Sequence, residues 1–401
     1  MMEMRDSPAI GRRTRTREVK ANVNSENYGG RELDIRAASM HRGQAVGSAI
    51  RMKHTVFSRH IKITAIALSA GGVQGIGIST NHSEFLMNLF DLKAAFQSGG
   101  LAKQKYIDEM HRPHRALFDY GAFMRDTDIA EIVITCEQVV MTTKASGIRL
   151  TCDPADARIV PIEILNFGTY EKNELDMIAR LMENDFTVWD IGGNVGWHAI
   201  NLAKSFPRAR ILAFEPIPST FEQLKKNVAL NGTSNVSLYN FGFSNKSEVL
   251  NFYFYPECSG NASSMNLSQK ASVRTLRCPV KTIDEFAEEE CLKVDFIKCD
   301  VEGAELFVFQ GGLKTLGRDK PVIFAEMVRK WSAKFNYHPN RIIELLRDIG
   351  YHCFKIEENA LAEFFAMDEN TAETNFFFLH AVKHAALVEA MGRSGKEVKT
   401  A

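Results

Sequence analysis

Apolar residues change their spacing several times along this chain. From Met1 to about His60 they recur with no fixed period among arginines and polar residues, so no regular element is expected there. "ITAIALSAGGVQGIGI", Ile63 to Ile78, is the one long apolar run. It is broken by glycines and shorter than the roughly 20 residues a membrane helix needs, so no transmembrane segment is expected. From Ser83 to Met124 apolar residues return every three or four positions. "SEFLMNLFDLKAAF" and "KQKYIDEMHRPHRALFDYGAFM" predict helices on either side of a Gly-Gly break. From Ile132 the period shortens: "EIVIT", "QVVMTT" and "GIRLTC" read as short strands between turns.

Beyond Thr187, strand-like and helix-like runs alternate. "TVWDI", "RILAFEP", "KVDFIKCDVEG" and "PVIFAEM" each lead into a helical pattern, with "VSLYNFGF" and "EVLNFYFY" between the second and third of these helical units. Parallel strands need crossovers, so this predicts an α/β domain whose mostly parallel sheet carries helices on both faces. "YHCFKIE" and "NFFFLHAV" have no strong helix between them, which predicts an antiparallel pair at the edge. The pattern divides the chain into a basic N-terminus without elements (1–60), a helical accessory region (61–131), the α/β domain (132–384) and a tail (385–401).

Charge narrows the partners. Lys plus Arg and Asp plus Glu are both 49, giving a formal net charge of zero. A nucleic-acid binder would show a basic field, so no nucleic-acid partner is expected. Seven scattered cysteines, none in C-x-x-C spacing, argue against a disulfide framework or a zinc knuckle. With no secretory signal legible, a cytoplasmic location is expected. His111 and His114 are three apart on a predicted helix, but Pro113 between them and the lack of a nearby cysteine favour surface histidines; no metal is expected.

The densest chemistry lies in "VWDIGGNVGWHAI". Ligands in open α/β sheets sit at the carboxyl ends of strands. Gly192, Gly193 and Gly196 there allow a tight turn and close ligand approach, and the next helix start offers free N–H groups. A dinucleotide loop would need glycine where Asn194 and Trp197 stand, and no Lys-Ser/Thr closes a P-loop. Asp190 would repel a pyrophosphate and suits a ligand with a cationic end. Glu215, ending the second strand before Pro216, is placed to take both hydroxyls of a ribose. A ribose, a positive group and a carboxylate are combined in S-adenosyl-methionine. "IKCDVEGAE" adds Asp300, Glu302 and Glu305, and "PVIFAEM" adds Glu326. Acids at a helix start also have the ordinary role of answering its dipole.

"FGTYEKNELDMIARLMENDFTVWDIGGNVGWHAINLA", "ILAFEPIPSTFEQLKKNVALNG", "VDFIKCDVEGAELFVFQGG", "PVIFAEM" and "TNFFFLHAV" resemble the FkbM-type S-adenosyl-methionine-dependent methyltransferases over roughly Ile132 to Val382. The resemblance implies a class I methyltransferase (Rossmann-like) fold with seven core strands and an antiparallel edge. It also implies methyl transfer to a hydroxyl of a sugar, glycan or small natural product. It places Asp190, Gly192, Asn194 and Gly196 in the cofactor loop and Glu215 on the ribose. It sets Phe241 to Ser244, with Phe243, near adenine, and Asp300 and Glu302 among the motif acids. Tyr170 and Glu171 match a G-x-Y-E segment. The first 130 residues do not map onto the family.

Displacement of a methyl group from sulfonium to a weakly nucleophilic hydroxyl needs alignment and removal of a proton. Asp300, Glu302 and Glu326 are the candidates for the base, with Asp300 and Glu302 leading; Tyr170, Glu171, Glu326 and His338 are expected beside a substrate, and His198 ranks below the acids. "DVEG" stands where nucleic-acid amino-methyltransferases carry Asn or Asp, two prolines and an aromatic. A fold that binds cofactor or sugar without turnover is the alternative reading. The acceptor's identity and the oligomeric state are not set by these residues.

Overall fold

The computed structural model describes the backbone of 34–41 and 44–51, and residues 88–267 and 272–392 in full. The apolar run Ile63 to Ile78 and most of Met1 to His60 lie outside the described residues. Packing divides the chain into two units, Met1–Met110 and His111–Ala401. In the first, Asp34–His41 and Gln44–Arg51 pair as an antiparallel hairpin, within the stretch expected to carry no element. Helix Leu89–Gln97 starts where Asn88 Oδ1 accepts from the amides of Phe90 and Asp91, both at 3.0 Å. Helix Lys103–Phe123 spans the boundary and contains Pro113. Among the described residues no helix is long and apolar enough to cross a membrane.

The second unit is built on one eight-stranded sheet. Its strands are β1 (Thr187–Ile191), β2 (Arg210–Phe214), β3 (Val236–Tyr239), β4 (Phe296–Cys299), β5 (Val322–Glu326), β6 (Tyr351–Glu357), β7 (Ala360–Glu363) and β8 (Asn375–His380). They lie in the order β7-β6-β8-β5-β4-β1-β2-β3. Strands β1 to β5 run parallel and β8 runs antiparallel to both β5 and β6. This is the class I methyltransferase arrangement, with β7 added at the edge. Helices α1 (Trp197–Ser205), α2 (Pro218–Asn231), α3 (Glu305–Gln310) and α4 (Asn340–Arg347) belong to the crossovers. Because both sheet faces are covered, β1 reads Val188, Trp189, Asp190, Ile191 with every residue buried.

Two expectations about strands change. The edge is made by the hairpin of β6 and β7, while β8 lies inside the sheet between β5 and β6. The hairpin turns at Glu358 and Asn359, both left-handed with φ of 49° and 63°. Two left-handed residues suit a tight hairpin, but glutamate is an unusual choice and hides the turn in the sequence. "VSLYNFGF" splits into β3 and a short strand, Gly242–Phe243, and "EVLNFYFY" leaves the main sheet. Glu248–Phe254 pairs antiparallel with Arg274–Lys281, which pairs parallel with Gly242–Phe243.

The strand-like runs before the α/β domain form a separate antiparallel sheet, Ile129–Ile134, Val139–Thr143 and Arg149–Cys152. Asn227 of α2, fully buried, joins it to the glycine loop. Its Oδ1 accepts from Thr151 N at 3.0 Å and Thr151 Oγ1 at 2.9 Å, and its Nδ2 donates to Val195 O at 2.8 Å. Asn227→Ala strands these buried groups at about 1–3 kcal/mol each. Chemical denaturation should show a loss of about 3 kcal/mol or more; a loss below about 0.5 kcal/mol would mean that other groups or water replace the amide.

Candidate active site

The carboxyl ends of β1, β2 and β4 meet around a cavity that is partly open to solvent. Gly192, Asn194, Glu215 and Pro216 form one wall, and Asp300 and Glu302 form another. Gly242, Phe243 and Ser244 lie between them, and the segment Ser259–Ser264 adds a further wall. Phe243 stacks on the buried Trp189 of β1, with ring centroids 5.9 Å apart.

The glycines answer mainly to the protein itself. Gly192 has φ +79°, and a Cβ there would stand 1.8 Å from the carbonyl oxygen of Asp300. The turn after β1 and the end of β4 are therefore in backbone contact. Gly196 has φ +96°, and its Cβ would meet Leu224 Cδ1 of α2 at 2.7 Å, while Gly193 faces Ala213 and Leu224. Gly193 and Gly196 are not among the residues lining the cavity, and packing against α2 needs Gly196 to lack a side chain.

Asp190 also lies behind the wall. Its Oδ2 accepts from Ala199 N of α1 at 3.1 Å, and its Oδ1 is 3.5 Å from Lys298 Nζ. The cation it meets in the structure is Lys298, its register partner on β4. Lys298 is 3% exposed; its ammonium donates to Gly192 O at 2.8 Å and lies 3.3 Å from Asp300 Oδ2. Burial alone would lower its pKa, but Asp300, Asp190 and Glu171 together hold it above the ordinary lysine value. The sequence reading missed this residue. Its signal was a lysine inside an otherwise apolar central strand.

Glu215 is buried at the end of β2. Its two oxygens accept from Asn194 N at 3.1 Å and Ile217 N at 2.8 Å. Burial outweighs these donors and raises its pKa to about 7. Each carboxylate oxygen keeps further acceptor capacity.

Asp300, Glu302 and Glu326 converge, each offering an oxygen within 4.8 Å of the others. That spacing would admit a cation, but acids alone do not make a metal centre. Asp300 is paired with Lys298. Glu302 and Glu326 have pKa values raised well above the usual carboxylate range, first by burial and then by the charge of Asp300. Glu302 is left-handed, with φ 55°, and its carbonyl accepts from the buried Ser263 Oγ at 2.9 Å. Tyr170 shares the same field: burial, then Glu171 and Asp300, push its hydroxyl pKa well up. Glu171 Oε2 lies 3.1 Å from Nε2 of the buried His198, out of line for a hydrogen bond.

Two expected residues fall elsewhere. His338 is exposed, and its Nδ1 accepts from Asn340 N at 3.3 Å at the start of α4, so it caps a helix and does not line the cavity. Glu305 lies beneath the DVEG turn, accepting from Val301 N at 3.1 Å and Gly303 N at 3.0 Å. It holds the turn's shape rather than facing a ligand.

Residues 190–353 match the family model described as the methyltransferase FkbM domain. Over these residues the chain is similar to that family. The chain is 30% identical over 152 residues to Methyltransferase 1 of Beauveria bassiana, covering 33% of this chain and 61% of that protein. It is 31% identical over 144 residues to the hexuronic acid methyltransferase AglP of Haloferax volcanii, covering 35% of this chain and 56% of that protein. The chain thus spans about three fifths of the length of these curated relatives. A solved FkbM methyltransferase from Methylobacillus flagellatus aligns with a TM-score of 0.32 at 12% identity, covering 66% of this chain and 59% of that one. The fold assignment rests on the strand order.

Glu215 has a measurable consequence. Its folded pKa, about 7, exceeds its ordinary 4.5. The stability linked to its protonation is therefore fully present below about pH 4.5 and lost as pH rises through 7. Glu215→Gln does not titrate, so the wild type should lose up to about 3 kcal/mol relative to it between about pH 5 and pH 8. Denaturant titrations across that range check this; a pH-independent difference would place the carboxylate in water.

Proposed function

We propose that this chain is an S-adenosyl-methionine-dependent methyltransferase acting on a hydroxyl of a sugar, glycan or small natural product. The observation that carries the reading is that one cavity is walled both by Glu215, at the end of β2, and by Asp300 and Glu302, after β4. An acid at the end of the second strand suits a ribose, whose hydroxyls would donate to the Glu215 oxygens. The segment Gly242–Ser244 lines the same cavity and is where a purine would sit. The name of the AglP relative supports a sugar acceptor.

When bound, the cofactor supplies a methyl carbon that passes to oxygen while its bonding pair returns to sulfur. The acceptor hydroxyl loses its proton as the new bond forms. Glu302, which lines the cavity, and Glu326, whose carboxylate comes within 4.8 Å of it, suit that proton, because burial and the neighbouring acids raise both pKa values. Raised basicity at working pH is what a general base requires. Asp300, held by Lys298, contributes negative charge where a sulfonium is to sit.

Isothermal calorimetry should show S-adenosyl-methionine and its demethylated product binding with micromolar-class affinity. With a panel of glycosides and uronides as acceptors, Glu302→Gln or Glu326→Gln should keep cofactor binding and lose roughly 100- to 10,000-fold in turnover. Folded protein that binds neither cofactor form contradicts the proposal, and binding without transfer to any acceptor favours a binding module.

A further inference from the structure

Lysine is out of place in β4. Its strand neighbours Phe296, Ile297 and Cys299 are fully buried, and a parallel strand covered on both faces normally carries an unbroken apolar run. An apolar side chain of similar volume would fill the space without taking an ammonium out of water. The cation is therefore a poor choice for stability alone, and its contacts are specific. The head has three N–H donors, and three groups surround it: the Gly192 carbonyl, Asp190 and Asp300. Gly192 begins the turn after β1, and Asp300 begins the turn after β4. Both line the cavity, while Lys298 does not.

We infer that Lys298 is a positioning residue for the cofactor site, holding the Gly192 turn and the Asp300 carboxylate in the arrangement that receives a sulfonium nucleoside. The inference rests on the methyltransferase reading of the cavity. Lys298 works from behind the wall. It fixes the backbone contact between the two turns, where a Cβ on Gly192 would stand 1.8 Å from the Asp300 carbonyl. It also limits the negative charge gathered there. Asp300, Asp190 and Glu171 act directly on Lys298; Glu302 is raised by Asp300 and Glu305 and drawn down by Lys298 and then Arg158, and Glu326 is raised by Asp300, Glu302, Glu305 and Glu171. Without Lys298 this group of acids loses its central cation and takes up protons, which a cationic ligand must then displace.

The test is calorimetric titration of S-adenosyl-methionine and S-adenosyl-homocysteine into wild type, Lys298→Arg, Lys298→Met and the double variant Asp190→Asn/Lys298→Met. Buffers of different ionisation heat count the protons released. The double variant removes one charge of each sign and covers the case in which Lys298→Met leaves Asp190 unpaired and fails to fold. Lys298→Met, or the double variant in its place, should weaken both ligands by about tenfold or more, the usual worth of a charge-assisted hydrogen bond. It should also release more protons than wild type with the sulfonium ligand, and no more than wild type with the neutral thioether. Lys298→Arg should recover part of the affinity. Folded variants with wild-type affinities and unchanged proton release would overturn the inference, as would failure of both methionine variants to fold, which would make the lysine a purely structural ion. Wild type that binds neither ligand would instead refute the methyltransferase reading, and the inference with it.

Discussion

The site depends on one buried ammonium. Strands β1 and β4 are parallel neighbours in the centre of the sheet; one runs into the glycine loop and the other into the DVEG turn. Lys298 bridges the two through Gly192 O and Asp300, and it answers Asp190 at the same time. Asp190 in turn receives the Ala199 amide at the start of α1. Strand, turn, helix start and the opposing turn are thus connected by a short chain of charge-assisted contacts in a place with little water to weaken them. Removing one member of such a set leaves its partner as an uncompensated buried charge.

This arrangement separates the acids by role. Asp190 and Glu305 are spent on backbone amides and shape the two turns. Glu215 accepts two amides and still faces the cavity. Asp300 is ion-paired at the cavity wall. Glu302 and Glu326 carry raised pKa values. A row of carboxylates that look alike in the sequence is sorted by burial and by distance from a single lysine.

The alternation of strand and helix patterns after Thr187 made the parallel sheet legible, because a sheet covered on both faces writes its strands as apolar runs. The Glu215 position was legible for a similar reason: an acid closing such a run stands at the carboxyl edge. What could not be read was set by tertiary contacts. The need for glycine at 192 and 196 comes from Asp300 and Leu224, which are far away in sequence. The cation for Asp190 becomes visible only once β1 and β4 are in register. The edge strand β7 was hidden by a turn of Glu358 and Asn359, and His338 suggested chemistry by its residue type while serving as a helix cap.

A crystal structure with S-adenosyl-homocysteine bound tests the central claim most directly. The account predicts ribose hydroxyls on the Glu215 carboxylate and the thioether sulfur on the side of Asp300, Glu302 and Glu326. Lys298 should remain in contact with Gly192 O and Asp300. A ligand seated away from Glu215, or a Lys298 side chain released from the Gly192 turn when the cavity is filled, would contradict it.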